Sequence, residues 1–443
     1  MTPDELSSAL GEVLGTEVSD LRRLTGGASR ETWAFVADGE RKILQRERAG
    51  GVRAGAMTAE AELIRAADEA GVPVASVLAA GKGDDALETG YLIADFVEGE
   101  TIARKILRDD EFAGARASFA ADCGRALAAI HAIDPGGLSN LQRVDQVAQY
   151  REVLDVFGDA VPTFELAFRW LEEHRPAHTG EAVVHGDFRL GNLMLGPEGL
   201  RAVVDWELAH LGDPMEDLGW LCVRAWRFRG ANPVAGIGTY EDLFAAYSEA
   251  AGVDVDPDVV RWWEVLGTLK WGVMCIMQAR AHLDGHSRSV ELAAIGRRVC
   301  ENEHDLLLLL APEALAKASA RAMPPALEEP GMHGRPTAAE LVEAVQEYID
   351  GDVRQNAGGS TAFHGRVASN VLAMVRRELE FGPAMAAEQV GRLGSIGVGS
   401  EADLVSAIQD GRFDDRADEL HRVIAETVVD KLRVANPRHF STS

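Results

Sequence analysis

The segment from residue 185 to 192 holds side chains whose types and spacing could do chemistry. It reads His-Gly-Asp-Phe-Arg-Leu-Gly-Asn, so Asp187 is followed five residues later by Asn192, and Asp205 ends an apolar run thirteen residues after that. Phosphoryl transfer needs such a set. One carboxylate orients the attacking hydroxyl and accepts its proton, while an amide oxygen and a second carboxylate hold Mg²⁺ against the nucleotide phosphates. These residue types also form turns, but the surrounding elements favour the catalytic interpretation.

The first hundred residues predict a sheet with one long helix inserted after the third strand. The expected strands are Val18–Leu24, Thr32–Ala37, Lys42–Gln45, Ser76–Ala80 and Tyr91–Val97. Residues 54–70 are rich in Ala with an apolar stripe, which predicts the helix, and Gly71-Val72-Pro73 ends it. From 102 to 320 the pattern is mostly helical. The segment 182–205 interrupts it with two short apolar runs around a loop, which is typical of a functional loop.

A third unit follows a predicted linker. Residues 323–335 are dense in Pro and Gly. Thr337 and Glu340 then form the pattern of a capping box that opens a helix. The remaining residues predict an all-α unit, in which Ser400 opens one helix and Gly411 closes it. The predicted division is therefore 1–98, 99–322, linker 323–335 and 336–443.

Composition excludes several classes of protein. Lys and Arg total 44 against 71 Asp and Glu, a formal net charge of -27 that argues against a nucleic-acid binder and weakly against docking to anionic lipid. The longest apolar run, Leu306–Ala311, is far shorter than the ~20 residues of a membrane span, and Met1–Leu14 lacks the features of a signal peptide. Four widely spaced cysteines predict neither a disulfide framework nor a zinc site. We expect a soluble, cytoplasmic protein that binds neither nucleic acid nor membrane.

The catalytic segment, continued by His210–Pro214 and Asp217–Trp220, resembles the aminoglycoside phosphotransferase family of kinase-like small-molecule kinases. Within that family it is most similar to the branch associated with acyl-CoA dehydrogenases. The resemblance covers about residues 15–320. It implies an α+β, protein-kinase-like two-lobed fold, with a five-stranded N-lobe and a mostly helical C-lobe, before the all-α C-terminal domain. That last domain resembles a domain of unknown function that accompanies such kinases.

The resemblance also implies roles for the catalytic segment. Asp187 matches the catalytic base, and Asn192 and Asp205 match the magnesium ligands. His185 is expected to brace the loop by hydrogen bonding, or else to be a buried structural histidine. Arg189 stands where protein kinases often place a Lys that meets the transferred phosphoryl group, and a guanidinium could do the same. The alternative for Arg189 is an ordinary surface arginine.

The expected nucleotide site lies nearer the N-terminus. Gly26, Gly27 and Ser29 stand between two predicted strands, where glycines let backbone amides approach phosphates, although the same segment alone would be a hairpin turn. By resemblance, Asp95 and Val97 match the hinge between the lobes. The Asp95 carbonyl and the Val97 amide would then meet adenine.

One position departs from the family pattern. The resemblance implies that Glu60 is the glutamate of the inserted helix and that a Lys or Arg on the third strand pairs with it and holds the phosphates; otherwise Glu60 is one more exposed carboxylate. The matching position is Gln45, with Arg46 beside it. Side chains alternate faces along a strand, so Arg46 shares a face with Lys42 and not with Gln45. Either Gln45 binds phosphate as a neutral hydrogen-bond donor, or a local shift of the strand brings Arg46 or Lys42 to the phosphates.

The sequence indicates the phosphate acceptor less clearly than any other feature of the site. Basic and aromatic residues recur at 224–229, 262–263 and 270–271, which suits an anionic or acyl acceptor, although aromatics at helical spacing are commonly core. We expect an ATP- and Mg²⁺-dependent kinase that phosphorylates a hydroxyl of a small molecule, such as a hydroxyacyl-CoA-like metabolite. The alternatives are an aminoglycoside or other antibiotic O-phosphotransferase and a nucleotide-binding pseudokinase. We expect the C-terminal helices either to form a homodimer or to bind a protein partner.

Overall fold

A computed structural model describes residues 1–24, 30–48, 55–139, 141–177, 180–327 and 332–442. The strands are Val18–Leu24 (β1), Arg30–Ala37 (β2), Glu40–Glu47 (β3), Val77–Gly81 (β4), Tyr91–Asp95 (β5), Ala182–Val184 (β6), Leu193–Gly196 (β7), Gly199–Val203 (β8) and His210–Gly212 (β9). The helices are Pro3–Leu14 (α1), Ala56–Glu69 (α2), Ala103–Arg108 (α3), Ala113–His131 (α4), Gln146–Phe157 (α5), Pro162–Glu173 (α6), Met215–Cys222 (α7), Tyr240–Ala251 (α8), Pro257–Leu283 (α9), Val290–Ile295 (α10), Val299–Leu310 (α11), Pro312–Ser319 (α12), Ala338–Tyr348 (α13), Arg354–Asn356 (α14), Gly359–Ser395 (α15), Glu401–Gln409 (α16) and Ala417–Ala435 (α17).

The N-terminal sheet is antiparallel and has the strand order β1-β2-β3-β5-β4, with α2 inserted after β3. Its two faces pack against different helices because side chains alternate along each strand. On β3, Leu44 packs with Leu10 of α1, whereas Ile43 packs with Met57 of α2. The predicted five-stranded sheet with one inserted helix is therefore confirmed, and so is the kinase-like fold with a helical remainder.

Two small two-stranded sheets interrupt the helical region. β7 and β8 form an antiparallel hairpin, in which Leu193 pairs with Val203, and β6 pairs with β9. β6 and the end of β8 lie at the two short apolar runs that the sequence predicts, whereas β7 and β9 were not predicted. The segment between β6 and β7 contains residues 185–192, so it is held by a strand at each end.

The chain divides into two compact units. The first comprises Met1–Val144 and Pro176–Glu264, and the second comprises Asp145–Arg175 and Val265–Ser443. This division differs from the boundaries at 98, 322 and 335 that the sequence predicts, and those boundaries remain predictions. The second unit is all-helical among its described residues, and a buried cluster that includes Leu307 and Val429 forms a core within it.

Local helix signals in the second unit are confirmed. The Thr337 hydroxyl accepts a hydrogen bond from the Glu340 amide at 3.3 Å, and the Glu340 carboxylate accepts one from the Thr337 amide at 2.7 Å. Ser400 caps α16 through the amide of Asp403. Among the described residues, no helix combines the length and the apolar character that crossing a membrane requires.

Candidate active site

Residues 185–192 form a loop that is anchored by its apolar members. Phe188 and Leu190 are fully buried in the core of the first unit. The Asp187 side chain, just before Phe188, is 13% exposed, and that of Arg189, between the two apolar residues, is 25% exposed, so both keep access to solvent. Alternation of buried apolar and polar residues thus turns the functional side chains away from the core and fixes the backbone that carries them.

Three donors hold the Asp187 carboxylate. Arg189 Nε lies 2.9 Å from Oδ1 and 3.1 Å from Oδ2. The Asn192 amide nitrogen donates to Oδ2 at 2.7 Å, and Trp220 Nε1 donates to Oδ1 at 2.9 Å. Hydrogen bonds from several directions restrict the rotation of a carboxylate, as a general base in phosphoryl transfer requires. Trp220 is not among the predicted site residues; its place three residues after Asp217 is the signal that could have found it.

Asn192 and Asp205 lie at the two ends of the β7–β8 hairpin. The Val204 amide donates to the Asn192 carbonyl oxygen at 2.9 Å, so the hairpin ladder brings the two residues together. Asn192 also donates to the Asp187 carbonyl oxygen. Both side-chain hydrogen bonds use its amide nitrogen, so the amide oxygen is the atom that could ligate a cation.

The Asp205 backbone is in the left-handed region, at φ +69°, which is rare for a residue other than glycine and is often found at functional sites. Burial raises the pKa of Asp205, and the nearby carboxylates of Glu207 and Asp187 raise it further. A cation among these carboxylates would relieve their repulsion. Amide and carboxylate oxygens are ligands that Mg²⁺ prefers, so the residues present fit this ion.

Asp217 of α7 holds the start of the loop. Its carboxylate is fully buried and accepts hydrogen bonds from the backbone amides of His185 at 2.7 Å and Gly186 at 2.9 Å. His131 Nε2 lies 3.2 Å from the same carboxylate. Burial alone would raise the pKa of Asp217, but the hydrogen bonds from His131 and the backbone lower it. A buried carboxylate thus positions the backbone just before the candidate base.

His185 is fully buried, and both of its ring nitrogens form hydrogen bonds to the backbone. Nδ1 accepts a hydrogen bond from the Asp187 amide at 3.2 Å, so Nε2 carries the proton and donates it to the Val204 carbonyl oxygen at 3.2 Å. Burial lowers the pKa of His185, which favours this neutral form. The ring connects the segment before Asp187 to the segment before Asp205.

Arg189 lies beside the candidate base and against an aromatic pair. Its guanidinium stands 4.9 Å from the centre of the Trp226 ring, and Trp226 lies 5.2 Å from Trp220. The side chain is 25% exposed. The structure therefore brings Arg189 together with Asp187 in the first unit, and its contact with a transferred phosphoryl group remains a prediction.

The predicted nucleotide residues fall into three groups. Gly26, Gly27 and Ser29 lie outside the described residues. Asp95 ends β5, where its carboxylate accepts a hydrogen bond from Lys42 Nζ at 2.7 Å. Val97 follows two residues beyond that strand, in the connection toward α3.

The third group, Gln45, Arg46 and Glu60, is divided between the two faces of the sheet. Gln45 shares the face of Ile43, which packs on α2. Arg46 is 9% exposed on the other face, where its guanidinium lies 3.5 Å from the Met1 sulfur. The structure does not bring Arg46 together with Glu60.

Glu60 pairs instead with Arg30, the first residue of β2. Arg30 Nη1 lies 2.9 Å from Oε1, and Nη2 lies 2.7 Å from Oε2. Arg30 is not among the predicted site residues, because the sequence pattern predicts the second strand only from Thr32, whereas β2 begins at Arg30. The signal that could have found it is a basic residue directly after the glycine-containing segment.

Comparison with protein-family models decides the class. The model of the phosphotransferase enzyme family matches residues 20–263, more than half of the chain. The chain belongs to this family. Its members are small-molecule kinases that transfer a phosphoryl group to a hydroxyl, and the resemblance drawn from the motifs is confirmed. A second model, for a domain of unknown function, matches residues 355–439.

Similar proteins agree with that assignment. The chain is 26% identical over 326 residues to acyl-CoA dehydrogenase family member 10 of Mus musculus, covering 66% of this chain and 30% of that protein. It is 25% identical over 264 residues to family member 11 of the same species, covering 53% and 33%. The chain thus spans about a third of the length of these relatives. A solved structure of a candidate aminoglycoside phosphotransferase from Ralstonia eutropha JMP134 shares the fold, with a TM-score of 0.57 and 22% identity, covering 70% of this chain and 98% of that one.

Proposed function

We propose that this phosphotransferase uses ATP and Mg²⁺ to phosphorylate a hydroxyl on an anionic acyl compound of the hydroxyacyl-thioester class. The observation that carries the proposal is the Asp187 carboxylate, held by three donors beside the oxygen ligands of Asn192 and Asp205. Such a set orients an alcohol at the position from which it can attack a phosphoryl group.

Each residue has a distinct task in the proposed reaction. Asp187 accepts a hydrogen bond from the acceptor hydroxyl and takes its proton as the hydroxyl oxygen bonds to the γ-phosphorus of ATP, while the bond from that phosphorus to the β–γ bridging oxygen breaks and ADP leaves. Arg189 places positive charge beside that carboxylate. The Asn192 amide oxygen and the Asp205 carboxylate would hold Mg²⁺, which when bound supplies positive charge against the nucleotide phosphates. His185 and Asp217 keep the loop backbone in place, since small displacements of reacting groups are costly.

An arginine-lined groove supports an anionic acceptor. The groove has a volume of about 700 Å³ and is lined by residues of α3, α4 and the segment after α7, among them Arg104, Arg108, Arg116 and Arg229. This concentration of positive charge stands out in a chain whose formal net charge is -27. Anionic groups such as the phosphates of an acyl thioester carrier suit arginine forks, whereas cationic aminoglycosides would be repelled.

The groove is connected to the catalytic loop through one segment. Trp226 lies under Arg189, and Phe228 and Arg229, which line the groove, follow it by two and three residues. Phe228 and Arg229 both have left-handed backbones, at φ +48° and +73°. Two consecutive non-glycine residues in this region are strained, which is typical of binding segments. The names of the curated relatives, as acyl-CoA dehydrogenase family members, also favour an acyl acceptor.

The test compares the wild-type protein with Asp187→Asn. Asparagine keeps the size of the side chain but cannot accept the proton, so phosphoryl transfer should fall by about 10²–10⁴-fold. MgATP binding, measured by thermal shift, should be unchanged because Asp187 is not a proposed nucleotide ligand. Asp254→Asn, at an exposed position between α8 and α9, is the matched control and should keep full activity.

The acceptor is tested by a panel of hydroxyacyl thioesters and aminoglycosides, with ADP release and phosphorylated product both measured. Turnover of a hydroxyacyl thioester supports the proposal. Turnover of aminoglycosides alone would make the chain an antibiotic phosphotransferase, and MgATP binding without turnover of any acceptor would favour a pseudokinase. Equal turnover by wild type and Asp187→Asn would overturn the assigned base.

A further inference from the structure

Beside Glu60, the face of the third strand toward α2 presents no cation. Arg41 shares that face by alternation, but it pairs with Glu98 at 2.7 Å, and its guanidinium lies 3.7 Å from the centre of the Phe96 ring. Gln45, which lies on that face, is neutral. Lys42 and Arg46 lie on the opposite face, where Lys42 Nζ lies 2.6 Å from Glu40 and 2.7 Å from Asp95. Arg46 Nε lies 3.6 Å from a Glu31 carboxylate oxygen. All three cations of β3 thus pair with carboxylates other than Glu60.

The neighbouring strand supplies the cation. Arg30 pairs with Glu47 of β3 across the sheet, and Thr32 pairs with Gln45. Arg30 is thus the diagonal neighbour of Gln45 on the same face, a separation of about 7–8 Å between the Cα atoms. A long arginine side chain spans that distance, so a guanidinium from β2 reaches the region that a β3 side chain would occupy.

Two acidic residues orient the Arg30 guanidinium. Both carboxylate oxygens of Glu60, on α2, accept hydrogen bonds from the two terminal nitrogens of Arg30. The Glu207 carboxylate lies 3.3 Å from Nη2 of the same guanidinium. Glu207 is two residues after Asp205, so this guanidinium connects α2 to the segment that carries the candidate magnesium ligand. The Arg30 side chain is 14% exposed and the Glu60 side chain 5% exposed. Buried charges of this kind are held only where they are paired.

We propose that Arg30 is the residue that binds the nucleotide phosphates, in place of a basic residue on the third strand, with Glu60 and Glu207 orienting its fork. The inference rests on the proposed function, since it requires a nucleotide at this site. A guanidinium presents five N–H donors, so the pairs with two glutamates leave donors for phosphate oxygens.

Charge balance is consistent with this assignment. Burial alone would lower the pKa of Arg30, but Glu60, Glu207 and Asp205 raise it, so the guanidinium stays charged. Three carboxylates around one guanidinium are an acidic setting for a nucleotide that carries several negative charges. A cation fixed among them gives the phosphates a contact that the neutral Gln45 cannot provide.

The experiment measures the affinity of the full-length protein for MgATP, MgADP and adenosine, by titration calorimetry. Arg30→Gln should weaken MgATP binding by about 10- to 100-fold, because a hydrogen-bonded charge pair is lost. Adenosine binding should be unchanged, since adenosine has no phosphate. The double variant Arg30→Gln/Gln45→Lys places a cation at position 45, on the face of the third strand toward α2, and should recover part of the MgATP affinity. Arg23→Gln, on the neighbouring β1, is the matched control and should bind MgATP normally.

Two results would overturn the inference while the proposed function stands. One is a wild-type affinity for MgATP in Arg30→Gln, and the other is an equal loss of MgATP and adenosine affinity, which would indicate a structural role. If Arg30→Gln does not fold, Arg30→Lys preserves the charge and carries the test: a specific loss of MgATP affinity supports the fork, and full affinity argues against it. If the wild-type protein binds no adenosine nucleotide, the proposed function is wrong, and this inference is wrong with it.

Discussion

Each unit of the chain contains a cluster of two histidines around one buried aspartate, and the two clusters differ in what the aspartate holds. In the loop cluster, His131, His185 and Asp217, the aspartate accepts two backbone amides of the catalytic segment. In the terminal cluster, His304, Asp305 and His439, two imidazole nitrogens lie 3.1 and 2.7 Å from one oxygen of Asp305. The first cluster therefore fixes a backbone path, and the second joins side chains of α11 and of the C-terminal segment.

The difference shows why the same residue types have different consequences. A carboxylate that holds backbone amides sets the position of every side chain on that loop, including Asp187. The three ligand atoms of the terminal cluster lie within 4.8 Å of one another, as a metal site would require. Both histidine nitrogens point at the same Asp305 oxygen, however. N–H groups that donate to that oxygen account for the geometry without a metal cation. We expect the loop cluster to control turnover and the terminal cluster to control stability alone.

Asp217→Asn should have the largest effect. The asparagine oxygen can accept one of the two amides, but its NH₂ group then faces the other donor, so the loop shifts and a buried donor is left unsatisfied. We expect kcat to fall about 100-fold and the free energy of unfolding to fall by about 3 kcal/mol. Steady-state kinetics with the hydroxyacyl-thioester acceptor and urea unfolding measure the two effects. Unchanged kcat in a folded variant would break the comparison.

Asp305→Asn should separate stability from activity. Asp305 is 4% exposed, and the hydrogen bonds from His304 and His439 lower its pKa to about 2 although burial alone would raise it. Loss of the charge should reduce the free energy of unfolding by about 2 kcal/mol. At a temperature where the variant stays folded, kcat should equal that of the wild type. A fall in kcat comparable to that of Asp217→Asn would show that the two clusters do not differ in function.

Local features of the sequence predicted much of the fold and part of the candidate site. Strand periodicity placed β1 at its observed bounds, and the apolar runs at 182–184 and 202–204 fall on β6 and on the end of β8. The pattern did not predict β7, the other strand of the hairpin that brings Asn192 and Asp205 together. A hairpin joins residues that are close in the chain, so spacing alone is informative there. The roles of these residues remain predictions, although the geometry that they require is present.

Long-range pairings could not be predicted from the same signals. Arg30 meets Glu207 across 177 positions of chain, and no periodicity reports such a contact. The second unit shows the same limit. Arg169 of α6 donates to the Ile408 carbonyl oxygen at 2.7 Å and pairs with Asp414 at 2.6 Å, so a helix from the middle of the chain belongs with the C-terminal residues. A domain boundary placed at the Pro- and Gly-rich linker assigns α6 to the domain before the linker, because it depends on position in the chain and not on the residues that the helix contacts.

The smallest expected effect is a change with pH. The folded pKa of Asp305, about 2, is below the value of about 3.9 for an unfolded chain. Its contribution to stability is therefore complete above the unfolded pKa and is lost as the pH falls from about 4 toward 2. The stability difference between wild type and Asp305→Asn should narrow by about 0.5–1 kcal/mol from pH 5 to pH 3.5, as measured by urea unfolding. A difference that stays constant over this range would mean that the terminal cluster does not hold Asp305 as a buried anion, and that it stabilises the second unit by packing alone.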